Sequence, residues 1–185
     1  MSWSVLGTLD VVPAAERPDL LAAPTAVALA ALGAERAARV GVAEIDPDLA
    51  DTAEFCEAYG SPPEFSANCV VVSGKRAGEA RYAAGVVLAT TRADVNGVVR
   101  RRLDVRKASF APMDTAVVLT GMAYGGITPL GLPEGWPLWI APEVAAAEAV
   151  VVGSGIRGSK LAVPGDILTA LPHAETVENL ARPVA

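Results

Sequence analysis

Short apolar runs punctuated by glycine and proline divide this chain into brief elements, and the period of each run suggests its type. Pro24 followed by Val27, Leu29, Ala30, Ala31 and Leu32 before Gly33 predicts a short helix with a proline start and a glycine stop. Arg39 to Ile45 alternates as a strand does. Asp51 or Thr52 can cap a helix running through Tyr59 to a stop at Gly60, and Pro62-Pro63 forbids its continuation. Strands are predicted over Asn68–Ser73 and Arg81–Thr90, joined by a turn at Gly74–Gly78. Asp94 opens a helix to about Arg102, Lys107–Ala111 reads as a strand, and Pro112 begins a helix that stops at Gly121. Trp136–Ile140 is a further strand. Ala149–Ser154 and Ser159–Val163 form a second hairpin around Gly155-Ile156-Arg157-Gly158, and Pro164–Leu171 closes with a helix.

Strands arranged in hairpins, with helices inserted between them and no regular βαβ alternation, indicate an α+β fold and not a doubly wound sheet. The 185 residues suit a single domain with a closed core. Alanine and valine supply much of the apolar content and aromatics are few, so the core is expected to consist of many small side chains, and a binding pocket need not be aromatic. No segment looks like a secretory leader, because the apolar stretch from Leu20 to Leu32 is broken by Pro24 and follows Glu16, Arg17 and Asp19. None reaches the length of a membrane span. Cys56 and Cys69 lack CxxC spacing and read as reduced residues of the core, which points to a cytoplasmic protein without a metal site. A single histidine, His173, makes a Ser-His-Asp or Cys-His arrangement hard to assemble and reads as a surface residue.

The net charge of −6 is the wrong sign for holding nucleic acid by bulk electrostatics. Local contact is possible through Arg100, Arg101, Arg102, Arg106 and Lys107, five positive charges within eight residues. The same run also suits a solvated helix end and turn.

Leu119 to Gly131 carries four glycines and a proline in thirteen residues. Gly125-Gly126 offers bare backbone groups and Pro129 stiffens the exit, which fits either a tight structural turn or a loop that recognises its ligand through the main chain. Thr120 caps or orients this loop, and Thr128 brings a second hydroxyl close to the glycines. Asp114 reads as a first-turn carboxylate favouring the helix dipole.

The order Leu119-Thr120-Gly121, then Gly125-Gly126-Ile127-Thr128-Pro129-Leu130-Gly131, resembles the glycine-rich loop of the YbaK family. These are aminoacyl-tRNA deacylases related to the editing insertion of bacterial prolyl-tRNA synthetase. Val151–Leu161 resembles the late hairpin of that family, and Pro164–Leu168 its closing helix. The similarity runs from about Asp51 to Leu171, leaving residues 1–50 as an N-terminal helix and strand extension. It implies a mixed, curved, partly barrel-like sheet surrounded by helices, and a trans-acting protein that hydrolyses a mischarged small amino acid from tRNA without metal or cofactor. On the same analogy Gly125 and Gly126 serve catalysis through the backbone. Thr120, Gly121, Ile127, Thr128, Pro129, Gly155 and Arg157 would bind substrate, and the basic segment would bind tRNA. The ester is already activated and the neighbouring ribose hydroxyl can share a proton, so a well-placed backbone donor worth about 3 kcal/mol goes far.

One departure from the family stands out. Its members often carry a lysine at the head of the strand after the first core helix, and alignment of Glu64–Val72 places Ser66 there. Asn68 shares a strand face with Ser66 and can donate a neutral hydrogen bond in place of the ammonium. A lysine from elsewhere is a second possibility, but Lys75 stands at the far end of the strand, about 20 Å beyond Cys69 at strand rise. The third is a protein that has lost hydrolysis and keeps binding an aminoacyl-tRNA or a related small aminoacyl ligand.

Overall fold

The computed structural model describes residues 3–184. In chain order the strands are β1 (Val12–Pro13), β2 (Gly41–Glu44), β3 (Ala67–Arg76), β4 (Glu79–Leu88), β5 (Thr91–Ala93), β6 (Ala108–Phe110), β7 (Leu138–Ile140), β8 (Val150–Gly153), β9 (Ser159–Val163), β10 (Ala174–Thr176) and β11 (Ala181–Pro183). The helices are α1 (Ala23–Ala31), α2 (Ala34–Ala37), α3 (Thr52–Tyr59), α4 (Arg100–Leu103), α5 (Met113–Thr120), α6 (Pro142–Ala145) and α7 (Gly165–Thr169). They form a four-stranded sheet in the order β1-β2-β9-β8, a five-stranded sheet in the order β10-β7-β4-β3-β6, and the small pair β11-β5. The second sheet is mixed, because β7 runs parallel to both β4 and β10. This is the α+β arrangement expected, a mixed sheet with surrounding helices.

Side-chain alternation explains why the four-stranded sheet is buried on both faces. Val42, Val150, Val152, Leu161 and Val163 face the main core, which they share with Val72, Ala84, Val86, Leu138 and Ile140 of the five-stranded sheet. Their neighbours Ala43, Val151 and Ala162 point the other way, into a second core closed by Val5, Leu6, Ile45 and Phe55. A one-residue slip in any of these strands would exchange the two sets. Small residues dominate both cores, as the composition suggests. The first fifty residues contribute β2 to the interior of this sheet, between β1 and β9.

Two elements differ from the sequence expectation. The β3-β4 hairpin closes in two residues, because Gly74, Lys75 and Arg76 remain in register and only Ala77 and Gly78 turn. Both have positive φ, 51° and 84°, which matches the twist of a tight antiparallel pair. The helix expected from Asp94 begins as a π-helical turn over Val95–Val99, with Asp94 Oδ2 accepting from the Val98 amide at 3.1 Å, before α4 takes over. The remaining predicted elements form within two or three residues of their expected bounds.

One feature of the topology opens a site. β6 pairs with β3 only at Val72–Gly74, and the other end of β3 is held by an isolated bridge from Ser66 to Val151 of β8. Between these two attachments, residues 67–70 have no strand on that side.

Candidate functional site

A cleft of about 380 Å³ occupies this gap. Its walls come from α3 and the residues before it (Ala50, Asp51, Thr52, Phe55), Ser66 and the first half of β3 (Ala67 to Val71), the start of α5 (Met113, Ala116), the glycine loop (Tyr124, Gly125, Ile127) and the β8-β9 pair (Val151, Val152, Gly153, Lys160). Segments far apart in sequence therefore converge on one concave surface.

The glycine loop is fixed by the closing hairpin. The Gly155 amide donates to Gly126 O at 2.7 Å, and the Ala123 amide donates to Gly155 O at 2.8 Å. This close approach requires that Gly126 lack a side chain, since a Cβ there would lie 2.5 to 2.9 Å from the backbone of Ile156. Gly126 itself is buried, its amide donates to Ala123 O at 2.9 Å, and it does not line the cleft. Gly125 does line it, with a φ of +77°. Among the described residues, the amides of Gly125 and Ile127 donate to no protein acceptor. With the Tyr124 amide, which is likewise unengaged, they are the cleft-lining loop donors left for a ligand.

The other residues singled out in the sequence divide into two groups. Ser66 is buried in the cleft wall with its Oγ 3.5 Å from Cys56 Sγ. Asn68 is exposed in the same wall, and its Oδ1 accepts from Thr52 Oγ1 at 3.2 Å, which leaves the Nδ2 amide to donate elsewhere. Arg157 stands beside the loop: Nε donates to Pro47 O at 3.1 Å, and Nη1 lies 3.4 Å from both Asp51 Oδ1 and Tyr124 O. Thr120, Gly121, Thr128, Pro129 and Gly155 lie outside the cleft lining. Thr120 Oγ1 donates to Ala116 O and accepts from the Met122 amide, Gly121 ends α5 in the left-handed conformation, and Thr128 is fully buried. Pro129 lines a second, more apolar groove together with His173, which is exposed.

The basic segment forms α4 and the turn into β6. Arg102 pairs with Glu175 at 2.8 Å and Arg100 Nε donates to Asn96 O, while Arg101, Arg106 and Lys107 are exposed without an ion pair among the described residues. Asp104, within the run, is taken up by Arg76 and Arg81. The chain then passes through β6 to Phe110 at the edge of the cleft.

Two features of the cleft, its rim and Lys160, went unremarked in the sequence. Phe110, Met113 and Tyr124 line its mouth while remaining 53%, 53% and 56% exposed, so the rim is apolar and largely aromatic. Lys160, on β9, lines the cleft although it is only 8% exposed. Its Nζ donates to Ala50 O at 2.7 Å and sits 5.5 Å from the centre of the Phe55 ring. Burial lowers its pKa from the usual lysine value, the nearby Asp51 carboxylate opposes that shift, and Arg157 reinforces it. Cys69, also in the wall, is a free thiol, and burial pushes its pKa up to about 12, so it is no thiolate nucleophile at neutral pH. Among the described residues no group of three or more His, Cys, Asp or Glu side chains is placed to hold a metal, and no helix is long and apolar enough to cross a membrane.

Comparison with known proteins adds the chemical context. Residues 46–171 match the aminoacyl-tRNA editing domain family. Among solved structures, a proposed trans-editing enzyme for prolyl tRNA synthetase superposes with a TM-score of 0.70 at 20% identity, covering 85% of this chain and 94% of the other. The hypothetical protein APE2540 gives 0.70 at 18% identity, covering 84% and 99%. A scaffold from a computational epitope-grafting study gives 0.70 at 20% identity, covering 85% and 95%. At such identities the likeness concerns the fold. No curated protein matches the chain.

Proposed function

The chain belongs to the aminoacyl-tRNA editing domain family, and on that premise we propose that it acts in trans as an aminoacyl-tRNA deacylase, hydrolysing a mischarged small amino acid from the acceptor end of tRNA. The observation that carries this reading is positional. Every residue lining the 380 Å³ cleft, from Ala50 to Lys160, falls inside the span that matches the family.

The chemistry follows from what the cleft offers. With Cys69 held as a thiol and His173 in another groove, water is the nucleophile the site can best use. An aminoacyl ester needs little activation, and the protein must mainly fix the geometry and stabilise charge developing on the carbonyl oxygen. The unengaged amides of Gly125 and Ile127 are suited to that task, and Asn68 Nδ2 is suited to hold the ribose or the amino-acid end. The exposed rings of Phe110 and Tyr124 at the mouth give a terminal base a face to stack on. Editing of this kind meets a physical need, since a synthetase pocket gains only about 1–3 kcal/mol of discrimination per methylene.

Incubation of the purified protein with a panel of tRNAs mischarged with small amino acids tests the proposal directly. Release of one or a few amino acids well above the spontaneous rate is expected. Absence of release across the panel, with aminoacyl-tRNA still bound, would replace it with a binding function on the same fold.

A further inference from the structure

We propose that Lys160 supplies the cleft with its functional ammonium from β9, binding the acyl carbonyl oxygen of the substrate. The inference rests on the deacylase reading and names the cation of that same site. In the resemblance to the YbaK family the strand-head lysine is replaced by Ser66, so the cleft would lack a charged donor if that position were its sole source.

Four observations support it. Lys160 is almost fully buried and lines the cleft, yet no carboxylate lies within ion-pair distance among the described residues. The nearest candidate, Asp51, pairs with Arg157 instead. Buried cations are normally paired, because the cost of desolvation is otherwise unmet. Its single hydrogen bond, to Ala50 O, uses one of three N–H donors, leaving two without a protein acceptor. Finally, Lys160 lies on the strand next to β8, whose Val151 bridges to Ser66, and all three residues line the same cleft. The ammonium and the strand-head position thus serve the same part of the cleft.

Depth distinguishes the acyl oxygen from a phosphate as the target. Arg157 stands nearer solvent, with a side chain 30% exposed, and suits the charged backbone of the acceptor end; Lys160 lies below it, among Ala50, Phe55 and Val151. In the reaction, water oxygen adds to the carbonyl carbon as the carbonyl π electrons move onto oxygen. The resulting oxyanion is stabilised by Lys160 and the loop amides. Collapse breaks the bond to the ribose oxygen, which receives the proton lost by water. Free amino acid and tRNA leave, and Lys160 keeps its proton throughout.

The test compares wild type, Lys160→Met, Lys160→Arg and the double variant Lys160→Met/Ser66→Lys. The readouts are deacylation, melting temperature and binding of amide-linked alanyl-adenosine, which is not hydrolysed. Lys160→Met is expected to lower turnover about 100-fold or more and to weaken analogue binding about tenfold or more. Lys160→Arg should retain part of both. The double variant should recover turnover, since a lysine at the strand head restores a cation to the same space, whereas a purely structural tie to Ala50 O would not be restored from there. Because wild-type activity needs the ammonium, its alkaline limb should fall below the usual lysine range and move upward in Lys160→Arg. If Lys160→Met does not fold, the Arg variant and the alkaline limb decide. Unchanged turnover and binding in folded Lys160→Met, or an unmoved limb in Lys160→Arg, would overturn the assignment while leaving the deacylase reading in place. Lysine-dependent analogue binding without turnover of any mischarged tRNA would keep Lys160 and refute the deacylase reading. A wild type that neither binds the analogue nor releases amino acid would refute both.

Discussion

Replacing Gly126 with alanine tests whether the glycine loop is shaped by contact with the closing hairpin. A Cβ at this position falls 2.5 Å from Ile156 O, 2.7 Å from its carbonyl carbon and 2.9 Å from its amide nitrogen, all rigid backbone atoms. To reach an ordinary contact of 3.4 Å the two segments must separate by about 1 Å. That stretches the bonds from Gly155 N to Gly126 O and from Ala123 N to Gly155 O, at 2.7 and 2.8 Å, beyond useful range. Overpacking costs about 1–3 kcal/mol and the strained hydrogen bonds about 1 kcal/mol more, giving a loss of about 2–4 kcal/mol. For a domain of this size, that corresponds to a fall in melting temperature of about 5–15 °C. Gly125→Ala provides the contrast. Its φ of +77° costs an alanine about 1–2 kcal/mol, but the new Cβ meets side-chain atoms of Arg157 and Asp51, which can shift where the Ile156 backbone cannot. The expected order of melting temperatures is wild type, Gly125→Ala, Gly126→Ala. Turnover should fall at least tenfold in Gly126→Ala, because the flanking Gly125 and Ile127 amides shift with the loop. A Gly126→Ala protein that melts with wild type would refute the contact argument, and one that melts lower but retains full activity would detach the loop from the chemistry.

Three further outcomes are expected. Removing the stacking faces by Phe110→Ala or Tyr124→Ala should weaken acceptor-end binding by about 1–3 kcal/mol in a competition assay with short 3′-terminal oligonucleotides, and should leave melting unchanged because both rings are more than half exposed. The double change Arg101→Gln/Arg106→Gln should flatten the salt dependence of tRNA binding by about one unit of slope for each phosphate no longer neutralised, and an unaltered slope would return this segment to ordinary solvation. The Arg39 guanidinium, bonded to Asp166 at 2.7 and 2.8 Å, holds that carboxyl below its usual value of 3.8, so its contribution to stability is present above pH 3.8 and is lost as pH falls through the folded-state value. Both side chains are substantially exposed, so the melting difference between wild type and Asp166→Asn should be small at pH 6, shrink with salt, and vanish in strong acid.

The legible parts of this fold are those governed by local rules. Pro24, Asp51 with Gly60, and Pro112 with Gly121 set helix bounds close to those observed for α1, α3 and α5. The extent of the first hairpin was less readable, because Gly74 looks like a turn residue. In the fold it serves close packing: a Cβ there would lie 2.6 Å from the Val105 side chain and 2.7 Å from Lys107 O. β10 and β11 are three residues each and owe their existence to β7 and β5, partners distant in sequence, so no periodicity within them could reveal them.

The same limit governs the site. Sequence order brings Gly125 and Gly126 together as equivalent backbone donors, but the turn of the loop commits the Gly126 amide to Ala123 O and the closing hairpin packs against Gly126, while the Gly125 amide stays unengaged. Ser66 was recognisable through the resemblance to the YbaK family, and Asn68 followed from it by strand alternation, which needs only a local period. Lys160 needed more. The segment Ser159-Lys160-Leu161-Ala162-Val163 reads as one strand of a hairpin, and a lysine near a hairpin turn is ordinarily solvated. Here β2 pairs along the other edge of β9, and both sheet faces are covered, so all five residues are buried. A charged side chain in a strand enclosed on two edges and two faces must either end in a paired contact or reach a cavity. The cleft beside Phe55 is that cavity, and only the burial of β9 between β2 and β8 makes the lysine stand out as its cation.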